Sequence, residues 1–156
     1  MKIDRIASLA LLLLALGPAA AYAAGGGGLG TKYCTATNNS TGAPADITAS
    51  GSSSSSAGNL TLTSSPVPNN VGIFFHGTGQ TQVTYGQGYL CVYGGIVRSS
   101  VIFASGNVGT WTYDNSDAKH SLAPFIGTTR HFQNWYRDPP GGGYNFSNAV
   151  SIAITL

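Results

Sequence analysis

The sequence contains no glutamate, and only 8% of its 156 residues are charged. The sequence has five acidic residues and seven lysines and arginines, which gives a formal net charge of +2. This small charge provides neither a basic surface for nucleic acid nor an acidic surface for cations. Solubility must come from Ser, Thr, Asn, Gln and Gly, a composition that suits exposed sheet surfaces better than helices, which normally use Glu, Lys and Ala.

Long hydrophobic runs are also scarce, and the one clear example covers residues 6–16. Two basic residues precede this run, and Ala21 and Ala23 follow it after a Gly-Pro break. The run is shorter than the roughly 20 apolar residues of a membrane-spanning helix, so we predict a secretory signal peptide over residues 1–23, with a retained anchor as the alternative. Residues 24–30 form a predicted flexible Gly-rich leader, and residues 31–156 a single domain.

Only two cysteines are present, Cys34 and Cys91. In an exported chain an even pair predicts a disulfide, and the expected location is secreted, periplasmic or on the outer surface. Closing a loop of this length stabilises the fold by at most about 4 kcal/mol. A catalytic or metal-binding thiol is the alternative role.

The chain after the leader has no helical periodicity, and its signals are those of strands. Residues 59–63 and 149–156 alternate in polarity, and residues 71–76 are continuously apolar, as expected for a strand covered on both faces. Turn signals recur at short spacing, so we predict an all-β antiparallel sandwich, jelly-roll or immunoglobulin-like, of eight or nine short strands. Gly94-Gly95 fits either a tight hairpin turn or a bulge in one long strand that continues to Phe103.

Catalytic and cofactor motifs are missing from the sequence. No G-x-S-x-G elbow occurs, and the Gly-rich leader is not followed by the Lys-Ser/Thr of a phosphate-binding loop. A glycosidase needs two opposed carboxylates, for which only four aspartates are available after the signal peptide. We therefore predict no catalytic residue and no cofactor.

Metal-binding patterns are weak. His76, His120 and His131 lack the spacing of a zinc site, so no metal site is predicted from them. Asp114 and Asp117 supply clustered oxygens, which makes them a weak calcium candidate, although the segment lacks the Gly and the distal Glu of an EF-hand loop. A polar turn is the simpler interpretation.

Aromatic residues are concentrated in the second half of the chain. On the strand predicted for residues 130–137, alternation places Phe132 and Tyr136 on one face, which we assign to the core, and Trp135 on the other. Exposed aromatic rings can stack on sugars, so we predict a carbohydrate-binding platform. Its candidate residues are Trp135, Trp111, Tyr113 and Arg137. In the alternative interpretation, these aromatic residues fill a core that is poor in leucine.

Three sequence blocks carry a resemblance to a known group of proteins. They are residues 87–98 (QGYLCVYGGIVR), 132–139 (FQNWYRDP) and 144–149 (YNFSNA). The set is similar to a family of secreted proteins from planctomycetes and myxobacteria, and the likeness covers roughly residues 71–156. Tyr93 and Asn148 differ from the commoner residues of that family. The resemblance implies an exported bacterial protein with a β-rich domain, and it implies no activity and no catalytic residue.

Three functional hypotheses follow. The first is a secreted or cell-envelope β-sandwich with a structural or binding role, whose partner is a polysaccharide or another envelope protein. The second is an extracellular hydrolase, which requires a cleft with at least two titratable groups in reach of each other. The third is a subunit of an extracellular assembly, in which the strand that ends at Leu156 pairs with a neighbouring molecule.

Overall fold

The computed structural model describes residues 28–114, 116 and 118–156, so the predicted signal peptide and most of the Gly-rich leader lie outside the described residues. The described chain forms eleven strands and two 3-10 helices. The strands are β1 (Thr31–Tyr33), β2 (Asp46–Ser50), β3 (Leu60–Ser65), β4 (Val71–Gly77), β5 (Gly79–Tyr85), β6 (Gly88–Tyr93), β7 (Val97–Arg98), β8 (Ile102–Phe103), β9 (Gly109–Tyr113), β10 (Thr129–Asp138) and β11 (Gly143–Ala153). The 3-10 helices are Ser55–Ala57 and Ala123–Phe125.

The strands form three layers of antiparallel sheet. A six-stranded sheet has the order β1-β11-β10-β4-β7, with β8 also paired to β4. A three-stranded sheet, β2-β3-β9, covers one of its faces, and a two-stranded ribbon, β5-β6, covers part of the other. The predicted all-β antiparallel sandwich is confirmed, but the count of eight or nine strands was too low.

The main core lies between the three-stranded and the six-stranded sheets. Alternating residues of β2 and β3 point inward, as their burial patterns show. They meet apolar residues of β4, β10 and β11, among them Phe74, Phe132 and Ile152, which are at most 1% exposed. Phe132 and Tyr136 are both buried, which confirms their assignment to the core.

A second core lies between the ribbon and the opposite face of the six-stranded sheet, which we call the outer face. It contains Phe75, Cys91, Val92, Phe146 and Ala149. The central strands β4, β10 and β11 therefore bury both of their faces. This explains why residues 71–76 show no alternation of polar and apolar residues.

A disulfide and the hydrogen bonds of one buried side-chain amide help to fix the ribbon to the outer face. Cys34 and Cys91 form the predicted disulfide, which links the segment after β1 to β6. The fully buried Gln133 side chain on β10 accepts a hydrogen bond from the Cys91 N–H at 2.9 Å and donates to the carbonyls of Tyr89 and Ser147, each at 2.8 Å. This amide joins β6 to β10 and β11 in a fully buried position.

The Gly94-Gly95 turn differs from both sequence interpretations. Both glycines have positive φ angles, 72° and 52°, which β-branched or bulky residues rarely adopt. The strands on either side do not pair with each other, because β6 pairs with β5 and β7 pairs with β4. The turn instead carries the chain from the ribbon back to the six-stranded sheet.

Two further regions depart from what the sequence indicated. Leu29, placed by the sequence in the Gly-rich leader, donates a backbone hydrogen bond to Ala49 at 2.9 Å and packs against the main core. The last strand is paired on both sides over residues 149–151, with β1 and with β10, so this part of β11 is not a sheet edge. Leu156 itself is 81% exposed and lies beyond that strand.

We predict that Gln133→Leu lowers the free energy of unfolding by about 3 kcal/mol, because it leaves a buried N–H, a buried carbonyl and a half-buried carbonyl without the amide as partner. Urea unfolding with the disulfide intact measures this change. The matched control is Gln82→Leu, which replaces an exposed glutamine of β5 and should change stability by less than about 0.5 kcal/mol. Equal effects of the two substitutions would contradict the role assigned to Gln133.

Candidate functional site

An open groove of about 390 Å³ lies between the ribbon and the outer face of the six-stranded sheet. Its size falls within the range usual for small-molecule sites. The side chains that line it are mostly aliphatic or aromatic: Ile73, Phe75, Tyr85, Leu90, Val92, Ile96, Arg98, Trp135 and Phe146. We call this feature the aromatic groove.

The pairing of the central strands determines which side chains form the floor of the groove. Trp135 on β10 lies directly opposite Ile73 on β4 and Phe146 on β11, so the three side chains form one row across the sheet. One row further along, Phe75 lies opposite Arg98 on β7. The ribbon supplies the facing wall through Leu90 and Val92 of β6.

Aromatic rings contact one another along one side of the groove. Tyr144 lies 6.0 Å from Trp135 and 6.0 Å from Tyr85, measured between ring centroids. Phe146 lies 6.1 Å from Tyr85 and 6.3 Å from Phe75. Centroid distances of this size are typical of favourable aromatic pairs, so the wall is a connected cluster of rings.

Exposed apolar side chains border the opening. Tyr85 and Ile96 are 55% and 37% exposed although they line the groove. Part of the apolar surface of these two side chains stays in contact with water in the folded chain. A ligand or partner that covers the opening would bury it.

Among the described residues that line the groove, one has a charged side chain. Arg98 is exposed, and its guanidinium makes no hydrogen bond and no ion pair with any other described residue. Among the described lining side chains there is no carboxylate and no imidazole. The groove therefore combines an apolar wall with one positive charge that no described residue neutralises.

The structure divides the predicted platform between two places. Trp135 lines the groove, and Arg137 is exposed on the same strand, two residues further on. Tyr113 lies in the main core and is only 3% exposed, and Trp111 packs against that core with its ring 6.2 Å from Tyr113. The four residues do not form one surface, because β9 belongs to the three-stranded sheet on the other side of the sandwich.

Sequence reasoning did not single out most of the groove. None of Ile73, Phe75, Leu90, Ile96 and Arg98 was named as a candidate site residue. The three sequence blocks that carry the family resemblance were the available signal, since six of the nine lining residues belong to them: Leu90, Val92, Ile96, Arg98, Trp135 and Phe146.

The calcium candidate is only partly within the described chain. Asp114 is exposed and accepts hydrogen bonds from the backbone N–H and the hydroxyl of Ser116, which is the geometry of a polar turn. Asp117 lies outside the described residues. Among the residues that the structure does describe, no group of three or more His, Cys, Asp or Glu side chains could hold a metal ion.

A buried imidazole–guanidinium pair lies on the inner side of the six-stranded sheet. The Arg130 Nε–H donates to His76 Nδ1 at 2.9 Å, so the proton of the neutral imidazole is on Nε2. The Arg130 guanidinium also donates to the Gly95 carbonyl at 3.2 Å and lies 4.3 Å from the centre of the Phe125 ring. Burial, together with the Arg130 charge, lowers the pKa of His76 to about 3.

We predict that His76 remains neutral down to about pH 4. Its pKa lies below the ordinary value of 6.5, so the unfolded chain binds more protons than the folded chain between about pH 6.5 and 3. The free energy of unfolding should therefore fall as the pH falls through this window, by at most about 1.4 kcal/mol per pH unit from this group.

Two measurements check this prediction. The His76 ring resonances should not shift between pH 7.5 and 4 in NMR spectra. The pH dependence of urea unfolding should be shallower in His76→Asn, whose amide oxygen can still accept from Arg130. A His76 titration midpoint near 6.5 would refute the assignment.

Comparison with known proteins gives no assignment for this groove. No protein-family model, no curated protein and no solved structure matches the chain. Among the described residues, no helix is both long and apolar enough to cross a membrane.

Proposed function

We propose that this protein is a secreted or cell-envelope β-sandwich with a binding role, and that the aromatic groove is its binding site. The observation that carries the proposal is the groove itself, a site of about 390 Å³ whose walls are apolar and whose rim leaves apolar side chains exposed. Such a surface gains free energy when a ligand removes it from water, at roughly 25 cal/mol for each Å² buried.

Secretion is part of the same proposal. The disulfide between Cys34 and Cys91 suits an oxidising compartment, and the sequence before it has the layout of a signal peptide. We also propose that the protein belongs to the secreted planctomycete and myxobacterial group, on the basis of the three sequence blocks. The same blocks supply most of the groove lining.

A binding role is favoured over hydrolysis by the chemistry of the lining. A hydrolase needs a nucleophile or water activated by a neighbouring base, and the described lining side chains include one guanidinium and one phenol as their titratable groups. The imidazole of His76 is on the opposite side of the sheet, buried beneath Phe125 and Phe132. It cannot serve a substrate held in the groove.

We predict that N-phenyl-1-naphthylamine, a neutral apolar dye, binds the purified mature chain with enhanced fluorescence. Trp135→Ala should weaken binding at least tenfold, because a buried aromatic contact to a ligand is typically worth more than 1.4 kcal/mol. Ile96→Asp places a charge at the partly exposed rim and should weaken binding as strongly, with little effect on the folded state.

The matched control is Phe103→Ala. This substitution removes an aromatic ring that is 78% exposed on β8 and does not line the groove, so dye binding should not change. The same four proteins passed over cellulose and chitin resins test the polysaccharide partner predicted from the sequence. If neither the dye nor either resin distinguishes Trp135→Ala and Ile96→Asp from the wild type, the groove is not the binding site.

A further inference from the structure

We infer that the ligand of the aromatic groove is a free, single-chain amphiphile with an anionic head, whose head pairs with Arg98 and whose aliphatic chain lies against the apolar walls. This inference rests on the proposed function, since it names the ligand class of the same groove. It is based on the charge at the groove and on the scarcity of polar side chains in its walls.

The charge argument starts from where the carboxylates of the chain lie. Asp46 pairs with Lys32 and accepts a hydrogen bond from Asn148, at the other edge of the sandwich. Asp138 is fully buried and accepts from the backbone N–H groups of Ser40 and Gly141. Asp114 accepts from Ser116 in its own turn, so the described carboxylates are occupied away from Arg98.

An unpaired guanidinium beside an apolar wall selects for an anion. Arg98 presents a planar fork of donors that matches a carboxylate or sulfate with two parallel hydrogen bonds. Phe75 lies directly opposite Arg98 on the neighbouring strand, so the charge stands at the border of the aromatic surface. A ligand that satisfies both features has a charged end and an apolar body.

The walls favour an aliphatic chain over a sugar. Six of the nine lining side chains carry only carbon and hydrogen, and those that can form hydrogen bonds are Tyr85, Arg98 and Trp135. A sugar ring would bring several hydroxyl groups into the groove, and each hydroxyl that loses water without gaining a partner costs roughly 1–3 kcal/mol. A hydrocarbon chain has no hydroxyl groups and therefore does not incur this desolvation cost.

Competition against the bound dye tests the inference at pH 8, with decanoate and decan-1-ol as probes of equal chain length. Decanoate should displace the dye from wild-type protein at a concentration roughly 5–10-fold lower than decan-1-ol, the factor expected of one partly exposed charge-assisted contact. In Arg98→Gln the two probes should become equally effective, and the affinity for decan-1-ol should stay unchanged.

The matched control is Lys32→Gln, which removes the same charge at the far edge of the sandwich and should leave the preference for decanoate intact. If both probes displace the dye from the wild type equally well, the ligand does not need an anionic head. The groove would then still be the binding site. Retention on cellulose or chitin that depends on Trp135, without displacement by decanoate, overturns the amphiphile and leaves the proposed function standing.

Vesicles of phosphatidylglycerol distinguish a free ligand from a membrane. We expect the protein to remain in the supernatant when such vesicles are pelleted. Pelleting that Arg98→Gln abolishes, without dye displacement by decanoate, would mean that the anion is a lipid headgroup in a bilayer and would overturn the assignment of a free amphiphile.

Discussion

The attachment of the β5-β6 ribbon to the outer face of the six-stranded sheet is the constraint on which the rest of the structure depends. Two-stranded ribbons are marginal in water by themselves, so this one needs fixed contacts with the sheet. The buried Gln133 amide supplies two hydrogen bonds to the ribbon, at Cys91 and Tyr89, and the disulfide supplies a covalent link at Cys91. Without these contacts the second core and the groove beside it would not exist.

The same attachment explains why the groove remains open. The ribbon touches the sheet mainly through β6, whereas β5 is largely exposed and pairs only with β6 among the described strands. Close contact at Cys91 and Val92 leaves the region between Tyr85, Ile96 and Trp135 unfilled. The groove therefore lies where the narrow ribbon leaves part of the wide sheet uncovered.

Most of the charged side chains in the described chain have a partner within the fold. The few ionised groups of the chain mostly have structural partners: Lys32 with Asp46, Arg130 with His76, and Asp138 with two backbone N–H groups. Arg98 and Arg137 have no such partner among the described residues, and of the two only Arg98 lines the groove. In a protein with so few charges, the Arg98 guanidinium has a strong effect on which ligands the groove can attract.

Local patterns were sufficient for much of the fold. The alternation of residues 59–63 indicated a half-buried strand, and the unbroken apolar run of residues 71–76 indicated a strand covered on both faces. Strand β5 was missed, because its Gln, Thr and Gly residues are polar on both faces and form a strand only by pairing with β6. The path through Gly94-Gly95 was also out of reach, since a local turn signal does not say which strands will pair.

The sequence by itself determined the class of the fold, the disulfide between Cys34 and Cys91, and the inward direction of Phe132 and Tyr136, because these follow from composition, cysteine pairing and period-2 alternation. Only the tertiary structure decided which aromatic residues share a surface. Trp111 and Tyr113 look like Trp135 in sequence, yet their strand is on the other side of the sandwich. The physical reason is that a binding groove depends on contacts between strands far apart in the chain, and strand pairing over such distances is set by the packing of the whole core.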